Sequence, residues 1–447
     1  MNIRQYLGGT QGRTQKAKLN IAISVALKAI DMAVYLFLVP VTIGYLNAYE
    51  YGIWLTLSSI LVWINTFDIG LGNGLRNKLA IAVANNDNAL GKSYVSSTVV
   101  MLLLIVAVIG VFGVSLISVI EWYGLLNTTQ DLVPNLSNIV SSTFVLFCIN
   151  FLMKFIGNVY QGMQMPSIST GMNVVGHLLS LIIIYILTLT TSGNLLYVAI
   201  TYSISPTIIY FIAYPITFGI IYKQFSPSLK FFKWTYVKDL CSLSVRFFIL
   251  QIAGLVIFSM TNLLISNMFG PEEVTPYNLS YRYFSIANMV LSLILAPIWS
   301  ATTDAYVRKD MEWIKRSIKK VKAINVLATL ALGMMLLLSP IVYKIWVGDS
   351  VSIPFTLSCL MAVYIDLLIW SLCYSSFLNG MGALKIQTIN SMLMAILFLP
   401  ICYLLGNQYG INGILLGMII VNLPGLIFNV IQFNKIINSK GSKIWYI

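Results

Sequence analysis

Charge is what this chain has least of. Only 9% of its 447 residues are Asp, Glu, Lys or Arg, against 58% that are hydrophobic, whereas an average soluble domain carries roughly 25% charged residues. So few charges cannot cover a water-soluble body of this length, which excludes soluble enzymes and binding modules as a class. Histidine is almost missing: His177 is the sole one, so neither a histidine metal cluster nor a Ser-His-Asp set is assembled, and no Walker sequence occurs. The cysteines Cys148, Cys241, Cys359, Cys373 and Cys402 are scattered through apolar segments without a CxxC pair, which reads as small buried side chains, not thiol or metal chemistry. Long polar loops are also missing. A membrane glycosyltransferase or polymerase needs an extramembrane catalytic region, so the chain reads as a non-enzyme with no cofactor.

What the chain has instead is long apolar runs, such as IAISVALKAIDMAVYLFLVPVTI and VVMLLLIVAVIGVFGVSLISVI. A run of about 20 apolar residues crosses the ~30 Å hydrocarbon core as a helix. The expected fold is an all-α, polytopic membrane protein with twelve spans, near 21–45, 51–74, 95–120, 138–160, 167–190, 197–222, 240–269, 277–301, 322–346, 354–378, 386–406 and 411–434. The basic N-terminal stretch ahead of the first span is not expected to be a cleaved signal.

Basic residues give the orientation. Arg13, Lys16, Arg76, Lys78, Lys92, Lys230, Lys233, Arg308, Lys315, Arg316, Lys385 and Lys435 all fall on one side of a twelve-span chain, while the other side holds Glu50, Asp131, Glu272, Glu273 and Asp349. The positive-inside rule puts both termini in the cytoplasm. The net charge of +13 is then a topology signal, and no nucleic-acid partner is implied. Val307, Met311, Ile314, Ile318 and Val321 recur at helical spacing among lysines and arginines, which predicts an amphipathic helix on anionic lipid. The stretch KQFSPSLKFFKWTYVKD mixes lysine with aromatics and suits the headgroup belt.

The chain also resembles itself. GYLNAYEYGIWLTLSSI from Gly44 matches GPEEVTPYNLSYRYFSI from Gly270 at an offset of 226, and VYQGMQMPSIST around Gly162 matches FLNGMGALKIQT around Gly380 at an offset of 218. Both pairs lie at corresponding places in the halves. Duplication with six spans per half predicts parallel repeats related by an axis along the membrane normal, a transporter architecture. The expected division is an N-terminal six-helix bundle over 1–222, a cytoplasmic linker over 223–238 and a C-terminal six-helix bundle over 239–447.

One stretch is unusual. FDIGLGNGLRNKLA alternates Gly70, Gly72 and Gly74 between Asp68 and the basic Arg76 and Lys78. Its GxGxG spacing follows a membrane span, not a strand, so it is no dinucleotide fingerprint. It reads as a closely packed, bendable helix end. Together with YGIWLTLSSI and the QGMQMP loop, it resembles the polysaccharide transporter branch of the multidrug/oligosaccharidyl-lipid/polysaccharide exporter superfamily, and within it bacterial O-antigen and capsule repeat-unit flippases. The resemblance covers essentially the whole chain. It implies two six-helix bundles forming a V around a central cavity. It also implies movement of an undecaprenyl-diphosphate-linked oligosaccharide from the cytoplasmic to the periplasmic leaflet of the bacterial inner membrane by alternating access. Membrane lipid and the polysaccharide polymerase machinery are the further expected partners.

Ionisable residues at membrane depth are costly and mark pathways or pairs. Arg282 and Arg246 offer guanidinium forks for a lipid diphosphate, and Lys28 and Lys154 are further substrate-binding candidates. Asp31, Asp68 and Asp366 are candidates for coupling or cavity pairing, with H⁺ or Na⁺ as the coupling ion. Lys28 and Asp31 share a helix face and are close enough in sequence to neutralise each other. Interfacial or purely structural roles stand beside each of these, and for His177 a helix–helix contact stands beside a relay. A cation-coupled multidrug exporter of the same superfamily is the alternative function. It needs clustered acids, which Asp31 and Asp68 could supply. A non-transporting scaffold leaves Arg282 and Asp366 without a role.

Overall fold

The computed structural model describes residues 13–68, 70–241, 257 and 259–438, and every regular element among them is helical. Nine of the described helices are long and apolar enough to cross a membrane. The second expected span is divided, and the seventh runs through residues that are not all described. The outer surface is as apolar as the interior of a soluble protein. Phe112, Leu337 and Ile345 are 72%, 75% and 81% exposed, which suits lipid. The interior carries the polar side chains: Ser203, Ser205 and Thr207 are buried and donate to the carbonyls of Ala199, Thr201 and Ser203 one turn back. In hydrocarbon a hydroxyl must find such a partner locally.

The chain packs into two compact units. The first comprises residues 1–45, 61–120 and 137–245. Its helices are α1 (Arg13–Tyr45), α3 (Leu71–Ala84), α4 (Asn88–Val119), α6 (Leu136–Met153), α7 (Phe155–Gly162), α8 (Pro166–Thr190), α9 (Leu195–Pro215) and α10 (Trp234–Cys241). Local chemistry sets their ends. Asp87 accepts the Leu90 N–H to cap α4, Asn194 caps α9 through Leu196, and Pro166 opens α8 where its missing N–H costs nothing. Helix α8 packs along both α1 and α9, and α3 packs on α4 and α7. The linker is not a free strap: Phe225 is 2% exposed, and the N–H groups of Ser228 and Lys233 donate to the hydroxyls of Ser96 and Ser97 on α4.

The second unit comprises residues 46–60, 121–136 and 246–447. It holds α2 (Ala48–Leu61), α5 (Trp122–Leu126), a helical stretch at 259–269, α11 (Pro271–Val307), α12 (Met311–Val347), α13 (Phe355–Gly380), α14 (Lys385–Tyr409) and α15 (Ile411–Ile437). Helix α13 is central, packing on α11, α12 and α15, and α14 lies along α15. Helix α2 is tied in by the Thr275 hydroxyl, which donates to the Ala48 carbonyl at 2.6 Å, and by the Ser259 hydroxyl, which donates to the Ser59 carbonyl at 2.7 Å.

The basic stretch expected to lie as a separate amphipathic helix on lipid is instead the start of α12. Asp310 caps it by accepting the Trp313 N–H, and one continuous helix follows. The apolar face of that start is spent inside the protein: Ile314, Ile318 and Val321 are 0%, 5% and 2% exposed. The periodicity was that of a helix seeking cover, and a neighbouring helix provides it as well as a bilayer does.

The two copies of the QGMQMP-type turn share one backbone pattern. Met163, Gln164 and Met165 donate their N–H groups to the carbonyls of Val159, Gln161 and Tyr160; Met381, Gly382 and Ala383 donate theirs to Phe377, Asn379 and Leu378. All six pairs correspond at the offset of 218 residues. Each ends a helix in the six-to-one and reverse bonds of a Schellman motif, with Gln164 at φ 61° and Gly382 at φ 75° in the left-handed position.

Candidate functional site

The glycine stretch is a break followed by a docking surface. Helix α2 ends at Leu61, a 3₁₀ segment covers Val62–Asp68, and α3 starts at Leu71 after Gly70 turns the chain at φ 79°. The Asp68 carboxylate accepts the Gly72 N–H at 2.9 and 3.0 Å, satisfying a donor that the helix start leaves open. A side chain at Gly72 would strike the Asn158 amide of α7, and one at Gly74 would strike the Leu240 carbonyl of α10. The glycines therefore let α7 and the linker helix sit directly on α3. Beside this contact Lys78 Nζ lies 2.5 Å from Asp239, which also accepts from the Tyr94 hydroxyl at 2.7 Å. These two donors hold the Asp239 carboxyl below the usual carboxylate range. Arg76 is exposed.

Two charged groupings of the first unit fall within the spans expected from the sequence. Lys154 occupies the junction between α6 and α7, is accessible, and donates to Asn65 Oδ1 at 3.4 Å. The sequence placed Lys154 and Asp68 in spans; the structure puts each at a helix interruption and brings them within electrostatic reach.

The second grouping was only half legible. Asp31 on α1 is 2.6 Å from His177 Nδ1 on α8, and the Tyr35 hydroxyl is 3.1 Å from Nε2, with the two rings 4.7 Å apart. The partner of Asp31 is thus the sole histidine, where the sequence suggested Lys28. Lys28 is exposed and makes no ion pair among the described residues. The signal was present: a rare acid and the only histidine both sit in membrane spans. The helix-to-helix pairing was not readable from spacing, since 146 positions separate them.

In the second unit Arg282 lies half-buried on α11 and acts electrostatically on the fully buried Tyr51 of α2. Asp366 on α13 accepts from the Thr329 hydroxyl of α12 at 2.5 Å, and Thr329 in turn accepts from the Trp370 indole N–H at 3.2 Å. Arg246 lies outside the described residues. No group of three or more His, Cys, Asp or Glu able to hold a metal occurs among the described residues. The described candidates are thus a few cations and hydrogen-bonded acids set among apolar helices.

Comparison with known proteins gives the family and the fold. Residues 18–303 match the family model described as "Polysaccharide biosynthesis protein". A Yersinia pseudotuberculosis protein named for O-antigen export is 20% identical over 404 residues, covering 88% of this chain and 90% of that protein. A Salmonella typhi protein named for O-antigen transport is 23% identical over 403 residues at the same coverage. Among solved structures, the inward-facing conformation of a multidrug resistance MATE family transporter of the MOP superfamily has a TM-score of 0.78 at 14% identity, covering 93% of this chain and 98% of that one. An outward-facing MATE transporter has a TM-score of 0.66 at 15% identity, covering 98% of each chain. The solved structures share the fold. The family match, which spans more than half the chain, together with relatives of nearly equal length, makes this chain a membrane transporter, not an enzyme, and a member of the polysaccharide biosynthesis protein family.

Proposed function

We propose that the protein moves an undecaprenyl-diphosphate-linked oligosaccharide, an O-antigen or capsule repeat unit, from the cytoplasmic to the periplasmic leaflet of the bacterial inner membrane by alternating access. The observation that carries the reading is Lys154: an accessible ammonium at a helix interruption, at membrane depth, with the Asn65 amide beside it. Asp68 lies within its electrostatic reach, and the accessible ammonium is also placed to meet a lipid diphosphate, an anion that travels in the membrane. Arg282, Arg246 and Lys28 complete the proposed set attracting it. The relatives named for O-antigen transport support the choice of cargo.

The Asp31–His177–Tyr35 grouping is the proposed site of proton coupling, since a hydrogen-bonded acid, imidazole and phenol form a relay path. Both termini face the cytoplasm in this reading, and the translocated unit becomes available to polymerase machinery in the periplasm. Deletion of the gene is the test. Surface polysaccharide should be lost while lipid-linked repeat units accumulate on the cytoplasmic side. Normal polysaccharide with new drug sensitivity would favour a multidrug exporter instead.

A further inference from the structure

The second unit holds a partly open cavity of about 260 Å³ among α13, α14 and α15, with Ile257 also at its wall. Its polar lining includes Ser371 and Ser375 on α13, Gln387 and Asn390 on α14, and Asn422 and Asn429 on α15. Leu367, Met394, Val421 and Phe428 add apolar surface, and no ionisable side chain lines it among the described residues. So many amides and hydroxyls at membrane depth are costly unless their hydrogen bonds are made.

Helix–helix bonding does not account for them. Asn429 Nδ2 donates across to the Ser371 hydroxyl at 3.1 Å, but among the described residues Ser375 and Asn422 donate back along their own helices, to Leu372 and Met418. Gln387 Nε2 and Asn390 Oδ1 are buried with no partner among the described residues. A buried polar group left in that state is destabilising. The final torsion of an Asn or Gln amide is broad, so both atoms turn toward the cavity at little cost.

The guest that fits this wall is defined by elimination and by match. Among the described residues a phosphate would find no cation and a metal ion no carboxylate, and an apolar molecule would strand the amides. A sugar ring offers vicinal hydroxyls, each both donor and acceptor, to paired amides, and C–H faces to Leu367, Met394, Val421 and Phe428. At this volume, below the roughly 300–1,000 Å³ of a pocket enclosing a drug-sized ligand, it takes a part of an oligosaccharide, not the whole.

We propose that this cavity is a carbohydrate subsite, which holds sugar hydroxyls of the transported lipid while the cationic residues act on its diphosphate. The inference rests on the lipid-linked oligosaccharide reading given above and adds to it where the sugar is felt.

The test compares two probes on the purified protein in lipid nanodiscs: undecaprenyl diphosphate without sugar, and the same carrier bearing the oligosaccharide extracted from the producing strain. Wild type should bind the glycosylated carrier about tenfold more tightly, as two net hydrogen bonds imply. The Gln387→Leu, Asn390→Leu double variant should lose that increment and bind the bare carrier unchanged, which also reports that it is folded. Ser375→Phe, which fills the cavity and keeps both amides, should do the same. Equal wild-type affinity for the two probes, or an increment that survives in either variant, overturns the subsite alone. Failure of wild type to bind either probe overturns the transport reading and the subsite with it.

Discussion

At the scale of single residues, the reading proposed here has some of the membrane-depth charges acting on the substrate. Arg282 is one of these, and its chemistry makes the claim separable. Arg282→Lys keeps the charge and loses the planar fork, so polysaccharide export should fall but persist. Arg282→Ala should abolish export at normal membrane protein level; full complementation by that variant would remove Arg282 from the substrate path. His177 gives the opposite pattern. His177→Ala removes the partner of Asp31, and an uncompensated polar group in this setting costs about 1–3 kcal/mol. Protein level or melting temperature in detergent should therefore drop, and the Asp31→Ala, His177→Ala double variant should recover part of the loss. A drop in the double variant equal to the sum of the two single drops would mean that the pair contributes nothing beyond its separate members. The sequence offered Asp31 and His177 as separate rarities; only the packing of α1 on α8 joins them, because contacts across 146 positions follow from tertiary structure and not from local pattern.

Among elements, the linker helix is held to the first unit by backbone contact and one exposed ion pair. The Asp239 side chain is 39% exposed, so the pair is worth no more than about 1 kcal/mol and weakens with salt. Its sign is fixed by the depressed carboxyl: the contribution is complete above the unfolded carboxylate value of about 3.9 and is lost as pH falls through the lower folded value. Asp239→Asn should therefore melt slightly earlier than wild type at pH 7 in low salt, and the two should converge as the pH is taken below that folded value or in high salt. A difference that persists at low pH would assign the effect to packing. The turn after α13 makes a purely conformational prediction. Nothing lies within 4 Å of a side chain placed at Gly382, yet its φ is 75°. Gly382→Val should cost stability through the backbone alone, roughly 1–2 kcal/mol, whereas Gln164→Gly at the matching position should be neutral or stabilising. Thermal melts of the two variants against wild type measure both. Helix existence was legible throughout, because long apolar runs have few alternatives. The break after Leu61 was legible only as a glycine-rich oddity, and the burial of Ile314, Ile318 and Val321 was not, since amphipathicity does not say what covers the apolar face.

At the scale of the molecule, composition was decisive for class: a chain with 9% charge had to use lipid as its solvent. Membership of the two compact units was less readable. Nothing local in Ala48–Leu61 says that it packs with α11; that depends on Gly52, where a side chain would strike the Pro271 carbonyl. Orientation rests on the basic loops and is testable on the intact protein. With single cysteines in a cysteine-free background, positions 230 and 315 should resist an impermeant reagent applied from the periplasm and react in inverted vesicles. Periplasmic labelling of either would reverse the proposed topology.

The turn that recurs after α7 and after α13 is held by main-chain groups in both copies, with Gln at one left-handed position and Gly at the other. Its shape survives side-chain drift. A duplicated ancestor could therefore let its halves specialise separately, one accumulating ionisable residues and the other amides, without either losing the joint that orders its helices. Common descent then stays readable longest in the backbone of these turns, after the residues around them have diverged.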